Sequence, residues 1–198
     1  FNPLQGFWYN AFRPNGIQQI TFEQGAAHGT VYFDEREVPH IQATSTSDAY
    51  FIQGFVHAYH RLWQMDFSTR ATAGRISEII GEKAINFDKS KRRKGLAESA
   101  KKSIEIWKKF PETYQLLESY SSGINYFMDH LDYRNYPIEY KLMNFEPEHW
   151  SPYKSALYHK SMSEVLCGKD QDIELTNAKN LFGVDFPTLF PEMDSITD

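Results

Sequence analysis

The sequence predicts an α+β chain, mainly helical with an N-terminal β-hairpin, on three observations. Residues 50–81, YFIQGFVHAYHRLWQMDFSTRATAGRISEIIG, lie in the longest proline-free run and carry apolar side chains at helical spacing. Two short β-rich patches, TVYF at 30–33 and VPHIQA at 38–43, flank the charged tetrapeptide DERE. Downstream, amphipathic segments opened or closed by proline and glycine follow one another to about residue 182.

Taken in order, residues 1–28 set Phe7, Trp8, Tyr9 and Phe12 among Asn, Pro and Gly without a sustained period. They read as an extended arm with one strand-like patch at 17–22. The hairpin follows, and Ser45, Thr46, Ser47 and Asp48 then supply capping oxygens and a first-turn negative charge for a long helix. Phe51, Phe55, Ala58, Leu62 and Met65 form one apolar row of that helix. Ile52, Val56, Tyr59, Trp63 and Phe67 form a second row beside it. A helix apolar over two adjoining rows is buried inside a larger body. Its polar remainder, Gln53, His57, His60 and Gln64, is a narrow strip. Gly54 costs about 1 kcal/mol against alanine in a helix, so another backbone is expected to pass close to it.

Gly74 and Gly81 bracket a short helical piece at 75–80, and residues 86–95 read as a polar loop. Residues 96–109 form an amphipathic helix with a lysine-rich outer face. Pro111 suits the first turn of a helix reaching about Leu131. A tyrosine-rich, proline-punctuated connection covers 132–147. Ser151 as cap and Pro152 at the first position open the next helix, which runs to about Leu166 and ends at Gly168. Asp172 to Phe182 read as a further short helix. The whole is one domain over 1–198, with an arm at 1–28, a body at 29–183 and a tail at 184–198.

Composition narrows the function classes. Charged content of 24% and hydrophobic content of 41% are those of an ordinary globular protein. A net charge of −5 gives no reason to expect nucleic acid, and the basic run at 89–94 (KSKRRK) reads as a solvated or ion-pairing segment. Cys167 is the only cysteine, so no internal disulfide or thiolate zinc cluster can form, and it reads as a buried small hydrophobe rather than a nucleophile. No run approaches the ~18 apolar residues of a membrane span. Phe1 in place of methionine points to a processed product or a trimmed chain, and no signal peptide is present.

The residues alone show no catalytic centre. His57 and His60 stand three apart on one helix face but lack a third ligand at zinc spacing, so they read as a packed or hydrogen-bonded pair. No serine sits in a G-x-S-x-G context. Asp170, Asp172 and Glu174 lack EF-hand spacing and read as a solvated helix start. Arg61, set among aromatic residues, is expected to pair with a carboxylate, because an unpaired buried charge is costly.

Ordered motifs add a further reading. VYFDEREVPHIQA (31–43), GFVHAYHRLWQMDFSTRATAGRISEIIG (54–81), FDKSKRRKG (87–95), PIEYKLMNFEPEHWSPYKSA (137–156) and GKDQDIEL (168–175) closely resemble the start of the penicillin acylase family. The likeness runs from about Val31 to Phe182, and FNPLQGFWYNA at 1–11 resembles the N-terminal arm of some bacterial members. Two departures stand out. Glu37 occupies a position where glycine is usual, and Tyr59-His60 replaces the usual Gln-Asp before Arg61.

The resemblance implies an N-terminal-nucleophile hydrolase of αββα fold, made when one precursor is cut into α and β chains with a spacer removed. The β chain's first residue, a serine, attacks the amide with its own α-amine as base. This chain resembles the α chain and holds no catalytic residue, since Phe1 cannot act as such a nucleophile. The resemblance further implies that Met162, Val165 and Leu166 line the acyl side-chain pocket. Asp172, with Glu174 adjacent, would join β-chain carboxylates around a structural calcium ion. The partners implied are the β chain and a small acyl-amide substrate, a β-lactam or an N-acyl homoserine lactone, in the periplasm or outside the cell. The other reading of the same residues is a non-catalytic helical interaction protein with an aromatic partner-binding surface.

Overall fold

The computed structural model describes residues 19–23, 27–167 and 172–190, with the backbone alone of Asp172. The arm at 1–18, Gly168, Asp170 and the end of the tail lie outside the described residues. Contacts divide the chain into two compact units, Phe1–Ser163 and Glu164–Asp198. The sequence places one body over 29–183, whereas this boundary falls within a helix.

The first unit opens on a three-stranded antiparallel sheet, β1 Gln19–Phe22, β2 Gly29–Phe33 and β3 Pro39–Ala43, in the order β1-β2-β3. The hairpin is therefore extended by one strand, supplied by the strand-like patch of the arm. Ile20, Val31 and Ile41 stand opposite one another and turn one face to the core, where Val31 is fully buried. Tyr32 and His40 pair on the other face with rings stacked 4.6 Å apart. In the β2–β3 turn the Asp34 carboxylate accepts the Arg36 and Val38 N–H groups at 2.9 Å. Those bonds, then His40, hold its pKa below the usual carboxylate range. Glu37 in that turn has φ 59°. A left-handed residue is the natural place for a glycine, which accounts for the glycine usual in the resembled motif.

Helix α1, Thr46–Ala73, is capped by Ser45, whose hydroxyl accepts the Asp48 N–H at 3.1 Å, and ends on left-handed Gly74. Its first apolar row packs on α5, Pro111–Asp129. The contact is close because Gly54 faces the Tyr120 carbonyl and Gly123 faces the Phe51 carbonyl. The backbone approach expected at Gly54 is thus present, with a reciprocal glycine on the other helix. The second apolar row is covered by this chain: Ile52 and Val56 are buried with Phe22 and Val31, and Tyr59 packs against the same cluster.

One residue breaks α1. Arg61 has φ −141° and ψ 22°, so the helix is two segments meeting there. Beyond Gly74 come α2, Ser77–Ile80, and α3, Ile85–Arg93. The polar loop expected at 86–95 is in fact helical. Lys and Arg are good helix formers, and Asp88 is buried, accepting the Ile76 and Ser77 N–H groups at 2.9 and 2.7 Å. Helices α4, Leu96–Trp107, α6, Ile138–Met143, and α7, Pro152–Leu166, complete the unit. Ala100 and Ile104 of α4 are buried against Ala156 and Leu157 of α7.

The second unit holds the last residues of α7, then α8, Asp172–Phe182, and α9, Phe186–Leu189. The expected tail is thus helical over 186–189. Phe186 and Phe190 stack with centroids 5.1 Å apart.

Candidate functional site

Three places hold chemically capable side chains: a buried charge cluster, an open cleft and the acyl-side residues expected on α7. The cluster centres on Asp66 of α1, which is 1% exposed. Its carboxylate accepts from Lys154 Nζ at 2.9 Å, Arg70 Nε at 3.1 Å and the Tyr140 hydroxyl at 3.3 Å. Arg70 reaches Glu78 and Glu148 at 3.4 and 3.3 Å, and Arg75 grips both of those carboxylates with bonds of 2.7–3.1 Å. Three anions therefore face three cations, and no buried side-chain polar atom among the described residues lacks a partner. Such a saturated cluster fixes α1, α2 and α7 relative to one another and offers no open valence for a substrate.

Hydrogen bonds from Arg75, with the charges of Arg70 and Lys154 adding and burial opposing, hold the Glu148 carboxyl at about 2. The folded state therefore binds this proton more weakly than the unfolded chain does. The stabilisation is complete above the ordinary glutamate pKa and is lost as pH falls toward 2. Acid unfolding followed by circular dichroism should be steeper for the natural protein than for Glu148→Gln between about pH 5 and about pH 2. Superimposable profiles would show that Glu148 contributes nothing. Glu148 is more than a third exposed, so screening keeps the effect modest.

The cleft, about 840 Å³, opens along the polar strip of α1. Tyr50, Gln53, His57, His60 and Arg61 of α1 form its floor, Leu117 and Tyr120 of α5 one wall, and Trp150, Ser155 and Tyr158 another. Glu37 and Pro39 of the β2–β3 turn border it. His57 Nδ1 lies 2.9 Å from the Tyr120 hydroxyl. His57 is exposed at the cleft, yet its walls desolvate enough of the ring, with Arg61 and His60 nearby, to lower its pKa. Desolvation pushes the Tyr120 phenol up to about 12, so it stays neutral. His60 packs edge-on against Phe33 and Tyr59, at 5.3 and 4.9 Å. The histidine pair is thus packed and hydrogen-bonded, as its sequence context indicates.

Arg61 departs from expectation. It is exposed, and among the described residues no carboxylate pairs with it. Arg61 stands at the break in α1, where it lines the cleft. His57, His40, His149 and His130 face Tyr120, Asp34, Asp129 and the Tyr126 carbonyl, and Ser155 accepts the Trp150 indole N–H at 2.9 Å.

Met162, Val165 and Leu166 all lie on α7, 42, 70 and 74% exposed. Tyr158 of the cleft stands one turn before Met162. Asp172 begins α8, and its side chain lies outside the described residues. Among the described residues no group of three His, Cys, Asp or Glu side chains could hold a metal ion. Calcium takes six to eight oxygen ligands, more than any cluster of the described residues offers.

The fold and site define a mainly helical α+β scaffold with a small antiparallel sheet, a saturated ionic core and an open aromatic cleft. The penicillin amidase family model matches residues 28–193, and the chain belongs to that family. Penicillin acylase 2 proenzyme of Pseudomonas sp. (strain SE83) is 37% identical over 118 residues, 60% of this chain and 15% of that protein. Penicillin G acylase of Escherichia coli is 28% identical over 170 residues, 82% and 20% respectively. Acyl-homoserine lactone acylase QuiP of Pseudomonas aeruginosa is 31% identical over 121 residues, 61% and 14%. A solved thermostable penicillin G acylase from Alcaligenes faecalis shares the fold with a TM-score of 0.69 at 21% identity, over 85% of this chain and 93% of that one. The chain thus spans a fifth or less of the length of these curated relatives.

Proposed function

We propose that this chain is the α subunit of a two-chain acylase that hydrolyses a linear amide of penicillin or N-acyl homoserine lactone type. The observation that carries this reading is a contrast in coverage. The chain corresponds to 15 and 20% of two penicillin acylase relatives but to 93% of the solved penicillin G acylase chain. A fold of this extent therefore stands as a chain of its own in that enzyme.

In this reading the αββα fold is completed by a β chain cut from the same precursor. Its N-terminal serine attacks the substrate carbonyl, and its free α-amine takes the proton. Met162, Val165 and Leu166 supply the apolar acyl side of the pocket, as most ligand pockets are apolar. Their exposure supports this, since side chains meant to meet a ligand and a second chain are left uncovered in the first. Asp172, or Glu174 beside it, would give one oxygen ligand to a calcium ion shared with the partner. The assembled protein would work in the periplasm or outside the cell. Among the described residues no helix is long and apolar enough to cross a membrane.

The test uses the protein expressed from its full precursor. It is expected to hydrolyse phenylacetyl or fatty-acyl amides, to lose all activity when the partner's serine is replaced, and to contain stoichiometric calcium. Leu166→Arg should lower kcat/KM for an apolar acyl amide by about tenfold or more, because a cation cannot be buried against an apolar chain without a partner. Full activity in this chain purified alone would overturn the two-chain reading. A calcium-free active complex would remove Asp172 from a metal role only.

A further inference from the structure

We infer that the cleft at the Arg61 break seats a carboxylate-bearing, otherwise apolar segment of the partner chain, with Arg61 as its ion-pair anchor. This rests on the two-chain reading and names the surface and chemistry through which the chains meet.

The charges point to it. Among the other cations of this part of the fold, Arg70, Arg75 and Lys154 each have carboxylates within 3.5 Å. Arg61 has none among the described residues, although the chain carries 26 acidic against 21 basic residues. It is also the one position where α1 departs from helical φ and ψ, so the chain gives up regular geometry where the guanidinium meets the cleft. Of the cleft's lining residues only Glu37 is acidic, while His57 and His60 share the floor with Arg61. An incoming carboxylate would find the Arg61 guanidinium and hydrogen-bonding groups on the floor, whereas an incoming cation would find one carboxylate, Glu37, at the border.

The walls give the rest of the occupant's character. Tyr50, Tyr120, Trp150 and Tyr158 line the opening, and Tyr50 and Tyr158 are each 37% exposed. Aromatic side chains of this kind favour interfaces where one end is apolar and the other polar. About 840 Å³ accommodates several side chains. This chain's own N-terminal arm is aromatic but contains no Asp or Glu before Glu23, so it cannot satisfy Arg61. The greater part of the relatives' length, in contrast, has no counterpart here.

The experiment uses the assembled protein made from the full precursor, with a photo-cross-linking phenylalanine analogue in place of Tyr158 and, separately, Tyr50. Mass spectrometry should find the cross-link on a partner-chain peptide containing Asp or Glu. Arg61→Glu should reduce the yield of assembled protein by at least about tenfold, Arg61→Lys should retain part of it, and reversing the identified partner carboxylate should restore Arg61→Glu, as expected of a desolvated charge pair. Circular dichroism of Arg61→Glu excludes misfolding as the cause. If cross-links go to residues 191–198, to a second copy of this chain or nowhere, or if Arg61→Glu assembles as the natural protein does, the inference falls while the two-chain reading stands. If no partner chain accompanies the natural protein, the two-chain reading itself falls.

Discussion

Asp66→Ala is expected to lower the stability of the assembled protein by about 3–5 kcal/mol, the cost of breaking a buried ion pair by removing one partner. The reason lies in what remains. Arg70 and Lys154, 6 and 8% exposed, would keep their charges in an interior that no longer holds the anion between them. Tyr140, itself 1% exposed, would lose the acceptor of its hydroxyl. Burial already pushes that phenol far above its ordinary pKa, followed by the Asp66 charge, so it cannot compensate by ionising. For a chain of this size the melting temperature should fall by roughly 10 °C or more. Asp66→Asn keeps an acceptor and should lose less. A change of only a few degrees for Asp66→Ala would mean that water reaches the cluster.

A comparable loss is expected from Gly123→Ala, and a similar one from Gly54→Ala. A methyl on Gly123 would overlap the Phe51 carbonyl, and one on Gly54 the Tyr120 carbonyl. Both obstacles are backbone, so no side chain can swing aside. The helices α1 and α5 would have to separate, loosening Ile124, Leu62 and Ala58 between them. Overpacking of this kind costs typically 1–3 kcal/mol and more when backbone must move. It far exceeds the ~1 kcal/mol that alanine would return through helix propensity. Denaturant unfolding of each variant measures the net effect, and a stabilised Gly123→Ala would refute the close crossing.

The motifs that carry the family likeness turn out to build the scaffold. Asp66 and Arg70 come from the long-helix motif, Arg75 and Glu78 from ATAGRISEIIG, and Glu148 and Lys154 from FEPEHWSPYKSA. In sequence they are local fragments up to 88 residues apart. In the fold they are one ionic cluster at the junction of α1, α2 and α7. The strongest sequence signal therefore marks the support, and Met162, Val165 and Leu166 on α7, proposed here for the acyl side, carry a much weaker one.

Local rules determined much of this chain. The boundaries of α1, the cap at Ser45, the left-handed stop at Gly74, the proline-led starts of α5 and α7 and the span of α8 follow from periodicity, capping oxygens and backbone freedom, which act within a few residues. Gly54 even announced a neighbouring backbone without naming it. What the tertiary structure alone decided depends on partners distant in sequence. The helix at 85–93 carries no apolar period and is anchored by Asp88 on the α2 N–H groups. The second apolar row of α1 is legible as a buried face, yet only the fold shows that Ile52 and Val56 are covered by this chain's own sheet. Arg61, aromatic-flanked in sequence, is exposed at a break that no residue type at 58–64 requires. Periodicity reports that a face is buried and has no information on what buries it, because that identity is settled only when segments from elsewhere in the chain, or from another chain, arrive.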